Sequence, residues 1–417
     1  MLAAVRSVLL GTVDPFPGAV FGAEFTRNRY KLSGLYTTPA NIPGWSFSRS
    51  SAGTALDSAG NVISFATGVP RITDKGLLVE EARTNLCLQS QTFDNAAWTK
   101  GNCGITADAV VAPDGTLTAD TVTVSTTASS TLAIAGGSRP AVTGTTCTAS
   151  VYVKRVATVN ATASFVLRDA TAAADKITGT LTWATMAMAG SGASITRLGS
   201  TDWYRVVLTD AAWTSTNQAQ LYAGMAGASY TIGHAYAVWG AQIEAGAFPT
   251  SYIPTTTASA TRAADVSQIN PVSPNTAEGT LLVEAMSDAT PASVSYAVII
   301  QAASSNDSFS VSRNTTPQVR AQVFGNGTSR FNVLNTSWPN GTVAKVGVSY
   351  KAGDYKACFN AGTVATGADA SSPIFTSAPD RIYVGCQAGA SWFNGYVRKV
   401  IYYPRAFSSG ELQAATA

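Results

Sequence analysis

A single histidine, His234, in 417 residues leaves little room for imidazole chemistry. A Ser/His/Asp triad or a histidine-based metal site has one candidate at most. Charge is scarce too, at 12% of residues against 46% hydrophobic, with a formal net charge of +3. No cluster of Lys and Arg is interleaved with aromatics, so the electrostatic footprint of a nucleic-acid binder is missing. The five cysteines, Cys87, Cys103, Cys147, Cys358 and Cys386, are odd in number, far apart and without a CxxC pair. That argues against a disulfide framework and against a zinc site, and the thiols read as buried or incidental. No stretch approaches the roughly 20 apolar residues that span a bilayer. The N-terminal "MLAAVRSVLLGT" is weaker than a secretory h-region and lacks a clear A-x-A site. The expectation is a soluble chain made in a cytoplasm, with no membrane insertion and no export by its own signal.

What is present is β-forming sequence rich in Thr, Ser, Ala and Gly. Residues 1–35, broken by Pro15, Pro17 and glycines, read as an irregular arm that orders against a partner. Residues 36–85 read as short β segments, including a hairpin in which "TAL" and "VISFA" flank the turn-rich "DSAGN". Between 86 and 262, alternating segments such as "TADTVTV", "CTASVYVKRV", "WYRVVLT" and "AYAVWGAQIEA" recur without amphipathic helices between them. That pattern favours a jelly roll or sandwich. The Thr-, Ala- and Pro-rich stretch around 263–275 reads as a linker. Residues 276–417 form a second all-β unit, with a hairpin at "YKAGDYKACFN" and a terminal helical turn capped by Ser408 and Glu411. The fold class is therefore all-β, with two β-sandwich domains in tandem. "GLLVE" at 76–80 and "GTLLVE" at 279–284 are alike, but no downstream matches support an internal repeat.

Catalytic groups are hard to assemble from this sequence. On a straight strand His234 and Glu244 lie about 33 Å apart, too far for a dyad. Trp239 and Ile243 share the opposite face from His234 and are expected in the core. Glycosidases need two carboxyls about 5 to 10 Å apart, and the sparse acids here show no acid-x-acid spacing. No P-loop, G-x-S-x-G or H-E-x-x-H occurs, and "GNG" at 325–327 reads as a turn. Asp354, Asn360 and Asp369 lie near turns without recognisable calcium-ligand spacing. No catalytic residue, metal ligand or cofactor site is assigned. Binding is better served, because aromatics on a sandwich face can stack on sugar rings. The candidates are Trp203, Tyr204, Trp213, Trp338, Trp392 and Tyr396, with Trp239 and Phe393 beside them. A core position is the competing reading for each, since isolated aromatics at alternating positions usually face inward.

Five blocks, "GLLVEEARTNLCLQSQTFDNAAWTK", "VAPDGTLTADTV", "CTASVYVKR", "WYRVVLT" and "VWGAQIEAGAFPTSYIPTTTASATRAADV", cover about residues 45 to 266. In that order they resemble a recurrent module of tailed-bacteriophage and prophage structural proteins, found in tail, tail-fibre and head-fibre proteins. The module's fold is a jelly roll similar to carbohydrate-binding modules. "FNGYVRKVIYYPRAFSSGEL" is similar to the segment that closes concanavalin-type, laminin-G-like sandwiches, with Phe407 where a leucine is usual. The resemblance implies a non-enzymatic virion protein, a fibre, spike or decoration component assembled in the host cytoplasm. Its implied partners are other virion proteins through the N-terminal arm, further copies of itself with a trimer favoured, and a host-surface glycan. The alternative is a carbohydrate-binding adhesin or a polysaccharide depolymerase accessory.

Overall fold

The computed structural model describes residues 13–287, 289–316, 318–335 and 337–417. Apart from three short 3-10 turns and one terminal helix, the regular elements of these residues are strands, and their ladders are antiparallel. The all-β expectation holds. The chain order is nested and not tandem. One compact unit takes residues 13–50, Thr67–Glu81 and Ala264–Ala417, and the other takes Ser51–Ala66 and Ala82–Ala263. They are called here the terminal unit and the inserted unit.

The terminal unit is a sandwich of a ten-stranded and a seven-stranded sheet. In the larger sheet, Gly395–Tyr403 pairs on one side with Glu278–Ser287 and on the other with Phe21–Glu24 and Gly76–Val79. Phe21, Ala23, Phe25 and Tyr30 are buried in the main core. The stretch from Phe21 to Leu32, read from sequence as part of an arm, is thus built into a sheet, because alternating apolar residues there find a strand to pair with late in the chain. Residues 1–12 of that arm lie outside the described residues. The expected linker differs as well: Val266–Ile269 is a strand between Trp45–Ser48 and Arg381–Val384.

A buried charge cluster ties these distant segments together. Asp265 accepts from Arg49 Nη1 at 3.1 Å, from the Glu80 amide at 2.9 Å and from Arg71 Nη2. Arg71 also donates to Glu80 at 2.6 Å. Guanidiniums and carboxylates pair within it, which is the condition for holding charge away from water. On the outer face of the larger sheet, Leu412 of the helix Ser409–Ala415 joins Leu282, Ile401 and Phe407 in a small second core. Ser408 and Glu411 form the reciprocal cap read from the sequence.

The inserted unit is a sandwich of two six-stranded sheets whose strands alternate along the chain. Its main core holds Trp98, Phe165, Trp183, Leu208, Val238 and Ile243. A second core lies on the outer face of one sheet, where Val62 from the hairpin Gly53–Leu56 and Val62–Phe65 packs with Tyr152, Trp203, Trp239 and Tyr252. The strand Ala235–Ala245 serves both cores. Ser150 is opposite Gln242 but Tyr152 is opposite Trp239, so one extra residue is accommodated. The bulge lies at Gly240, whose φ of +62° suits glycine and where a Cβ would come within 2.8 Å of the Tyr152 ring. Strict alternation put Trp239 and Ile243 on one face. The bulge instead sends Trp239 to the outer core and Ile243 to the main one.

Candidate functional site

The two sequence-level candidates for chemistry are both occupied structurally. The Glu244 carboxylate, fully buried, accepts from Gln242 Nε2 at 2.6 Å, from the Thr250 amide at 3.0 Å and from Thr250 Oγ1 at 2.6 Å. His234 is fully buried at the entrance of its strand, stacked on Tyr230 with ring centroids 5.7 Å apart and lying 5.7 Å from Trp183. Its Nδ1 accepts from the Asn160 amide at 3.2 Å, which requires the neutral tautomer with the proton on Nε2. Nε2 has no partner. Burial lowers the His234 pKa below 6.5.

A pH dependence follows for the inserted unit. The folded state binds the imidazole proton less readily than the unfolded chain, so this contribution to stability is complete above about pH 6.5 and declines as pH falls toward the lowered folded value. The melting temperature is expected to drop between pH 7 and 5, and His234→Gln should flatten that slope. An unchanged slope in the variant would assign the acid sensitivity to other groups.

Cysteine nucleophiles are absent as well. Cys87, Cys147, Cys358 and Cys386 are buried, Cys103 is half-buried, and none forms a disulfide. Burial pushes the Cys103 thiol up to about 11 and the Cys87 and Cys147 thiols higher still. Asp354 pairs with Lys356, Asn360 accepts from the Lys345 amide, and Asp369 caps Ser371. Among the described residues no group of three or more His, Cys, Asp or Glu could hold a metal ion. "GNG" is the tight hairpin turn expected, with positive φ at Asn326 and Gly327.

Most aromatic candidates face inward. Trp203, Trp213, Trp338 and Tyr396 are 1 to 4% exposed, which leaves no ring face for a sugar and corrects their assignment as binding residues. Trp203 fills the outer core under the hairpin, while its neighbour Tyr204 packs half-buried against the main core. Trp213 belongs to that main core too, and Trp338 packs on Phe393 at 5.3 Å. Trp392 keeps partial exposure, with its Nε1 donating to the Asp265 carbonyl at 2.9 Å. A bridge pairs it with Tyr296, whose amide donates to Ser391.

Tyr296, half-buried and packed against the main core, borders the outer face of the seven-stranded sheet, a face that also carries the buried Ile299 and Tyr383. On Ser308–Arg313 the apolar Phe309 and Val311 point into the core, so Ser308, Ser310 and Ser312 point out. On Val319–Gly325, Arg320, Gln322 and Phe324 point out by the same alternation. A register slip between Tyr296 and Val298 brings Tyr296 opposite Ser312 and Ile299 opposite Ser310. Cross-strand pairing then gives one row of Tyr296, Ser312, Arg320 and Leu334, and a second of Tyr383, Ile299, Ser310, Gln322 and Asn332. Tyr296 and Arg320 are two strands apart, about 10 Å at the backbone, with a serine between them.

The polar groups of this face are incompletely used by the protein. Ser312 Oγ is buried and has no hydrogen-bond partner. Burial raises the Tyr296 pKa while the Arg320 charge opposes the shift. Arg320 Nε donates to Asn332 Oδ1 at 2.9 Å. A buried hydroxyl left without a partner costs about 1–3 kcal/mol. The sequence carried the signal in the polar members of "SFSVSR" and "VRAQVF", which a search for aromatics passes over.

Comparison with known proteins adds little to this geometry. No family model matches the chain, and no curated protein matches it. Solved structures overlap about a third of it. A Ruminococcus gnavus sialidase CBM40 bound to α2,3-sialyllactose is 14% identical, covers 36% of this chain and 98% of its own, and has a TM-score of 0.30. The Trypanosoma rangeli sialidase bound to the inhibitor DANA is 14% identical over 36% of this chain and 27% of its own, with a TM-score of 0.28. A heptameric SAP-like pentraxin from Limulus polyphemus is 11% identical over 36% and 74%, with a TM-score of 0.29. Similarity at this level carries no inference about ligand or activity.

Proposed function

We propose that this protein is a non-enzymatic glycan-binding protein that takes its ligand on the outer face of the seven-stranded sheet. The observation that carries the reading is the buried, unpartnered Ser312 hydroxyl set between Tyr296 and Arg320. A tyrosine ring supplies a surface for a sugar ring, and the hydroxyl, amide and guanidinium groups around it supply donors and acceptors for sugar hydroxyls. The engagement of His234 and Glu244 in separate structural roles supports a binding role over a hydrolytic one.

The five phage-like blocks support placing this binding protein on a virion, as a fibre, spike or decoration component, with a trimer as the proposed assembly. Mass spectrometry of purified particles and light scattering of the isolated chain address those two points. Detection of the chain only in host fractions, or only as monomer at micromolar concentration, would count against them.

A glycan array probed with the full chain, followed by calorimetry on the hits, tests the binding site. Tyr296→Ala and Gln322→Ala are each expected to weaken binding at least tenfold, about 1.4 kcal/mol; Gln322→Ala leaves the melting temperature little changed, while Tyr296→Ala lowers it because that ring packs against the core. Undiminished affinity in both folded variants would remove this face as the site.

A further inference from the structure

We propose that the ligand of this face is an acidic glycan whose carboxylate is held by Arg320. This inference rests on the glycan-binding reading and names the class of sugar.

The arginines of the seven-stranded sheet fall into two groups. Arg381 lies against Asp380 at 2.7 Å and Arg330 near Asp369 at 3.7 Å. Arg313 is fully buried and donates to the Trp338 carbonyl at 2.7 Å and to Asn340 at 2.5 Å. Arg320 is different: among the described residues no acid pairs with it, and its recorded bond is the one from Nε to Asn332. That bond fixes the plane of the guanidinium and leaves its two terminal amino groups unengaged, which is the edge that meets a carboxylate in a bidentate pair.

The neighbours of Arg320 match the rest of such a sugar. Ser312, its cross-strand partner, offers a buried hydroxyl with nothing to bond. The Tyr296 phenol lies within the field of the Arg320 charge. Gln322, two residues along on the same face, has no side-chain bond among the described residues. A carboxylate flanked by ring hydroxyls uses the cation, the serine and the amide together. A neutral sugar makes no use of the cation.

The test compares oligogalacturonate, a neutral maltooligosaccharide of the same length and a sulfated oligosaccharide of the same charge, titrated into the full chain at low and high salt. Oligogalacturonate is expected to bind at least tenfold more tightly than the neutral probe, with an advantage that shrinks as salt rises. Arg320→Gln should abolish the preference, and Arg320→Lys should restore only part of it, since lysine returns the charge without the planar fork. Equal affinity for the acidic and neutral probes in the unmodified protein, or tighter binding of the sulfated one, would overturn the carboxylate assignment while leaving the face as a glycan site. Absence of binding to all three probes, together with an array on which no glycan binds, overturns the site itself.

Discussion

Asp265→Ala is expected to destabilise the terminal unit by about 3–5 kcal/mol, the cost of breaking a buried ion pair from one side. Asp265 has no exposed surface, and its two oxygens face Arg49 and Arg71, both of them buried. Without it, Arg71 retains Glu80, while Arg49 and Arg71 both lose this buried carboxylate. The Glu80 amide loses its acceptor at the same time. The loss is a large share of the roughly 5–15 kcal/mol by which a domain is stable. Chemical denaturation followed by tryptophan fluorescence measures it, with Asp202→Ala as the comparison. Asp202 faces Arg197 at 3.5 Å on the surface, where a pair is worth about 0–1 kcal/mol. A denaturation midpoint for Asp265→Ala equal to that of Asp202→Ala would mean that the cluster does not hold the segments together.

The second large effect is expected at Asn85 in the inserted unit. Its Nδ2 donates to the carbonyls of Ala241 and Ile253, at 3.0 and 2.8 Å, while its Oδ1 accepts from the amides of Cys87 and Ile243, at 3.0 and 3.1 Å. One buried side chain therefore joins three separate stretches of backbone. Asn85→Ala leaves two carbonyls and two amides without these partners, and at about 1–3 kcal/mol per buried orphan group a loss of about 4 kcal/mol is expected. Asn85→Asp is the sharper test, because a carboxylate has nothing to donate to the two carbonyls and should destabilise comparably. A near-normal melting temperature for Asn85→Asp would show that the clamp contributes little.

What the sequence revealed about the fold follows the range of the interactions involved. The Gly53–Phe65 hairpin and the Ser408 cap are set by residues a few positions apart, and both are present as read. The nested chain path is set by pairings such as Trp45–Ser48 with Val266–Ile269. Such pairing leaves no local mark beyond the short strands themselves. The face change at Gly240 was hidden for a different reason. A single glycine within an apolar strand looks like any other small residue until its φ is known.

The candidate site was legible only in part. Tryptophans attract attention as binding residues, yet a sandwich with an apolar cover on an outer face has two places to bury them, and Trp203 and Trp239 fill the second. Trp392 keeps partial exposure, and the structure brings it beside Tyr296. Ser312 and Arg320 were unremarkable one at a time. Their meaning comes from being cross-strand partners on a face whose other side is the core.

The pairing of Phe21–Glu24 with Gly395–Tyr403 has a consequence for synthesis. The first of these strands is made well before its partner. At about 5–20 residues per second, tens of seconds separate the two. The inserted unit has all of its residues well before then and can fold during that interval. The terminal unit's larger sheet closes only once Gly395–Tyr403 has been made, so its earlier strands spend that time as open edges, dependent on chaperones or on their own short length to avoid pairing elsewhere.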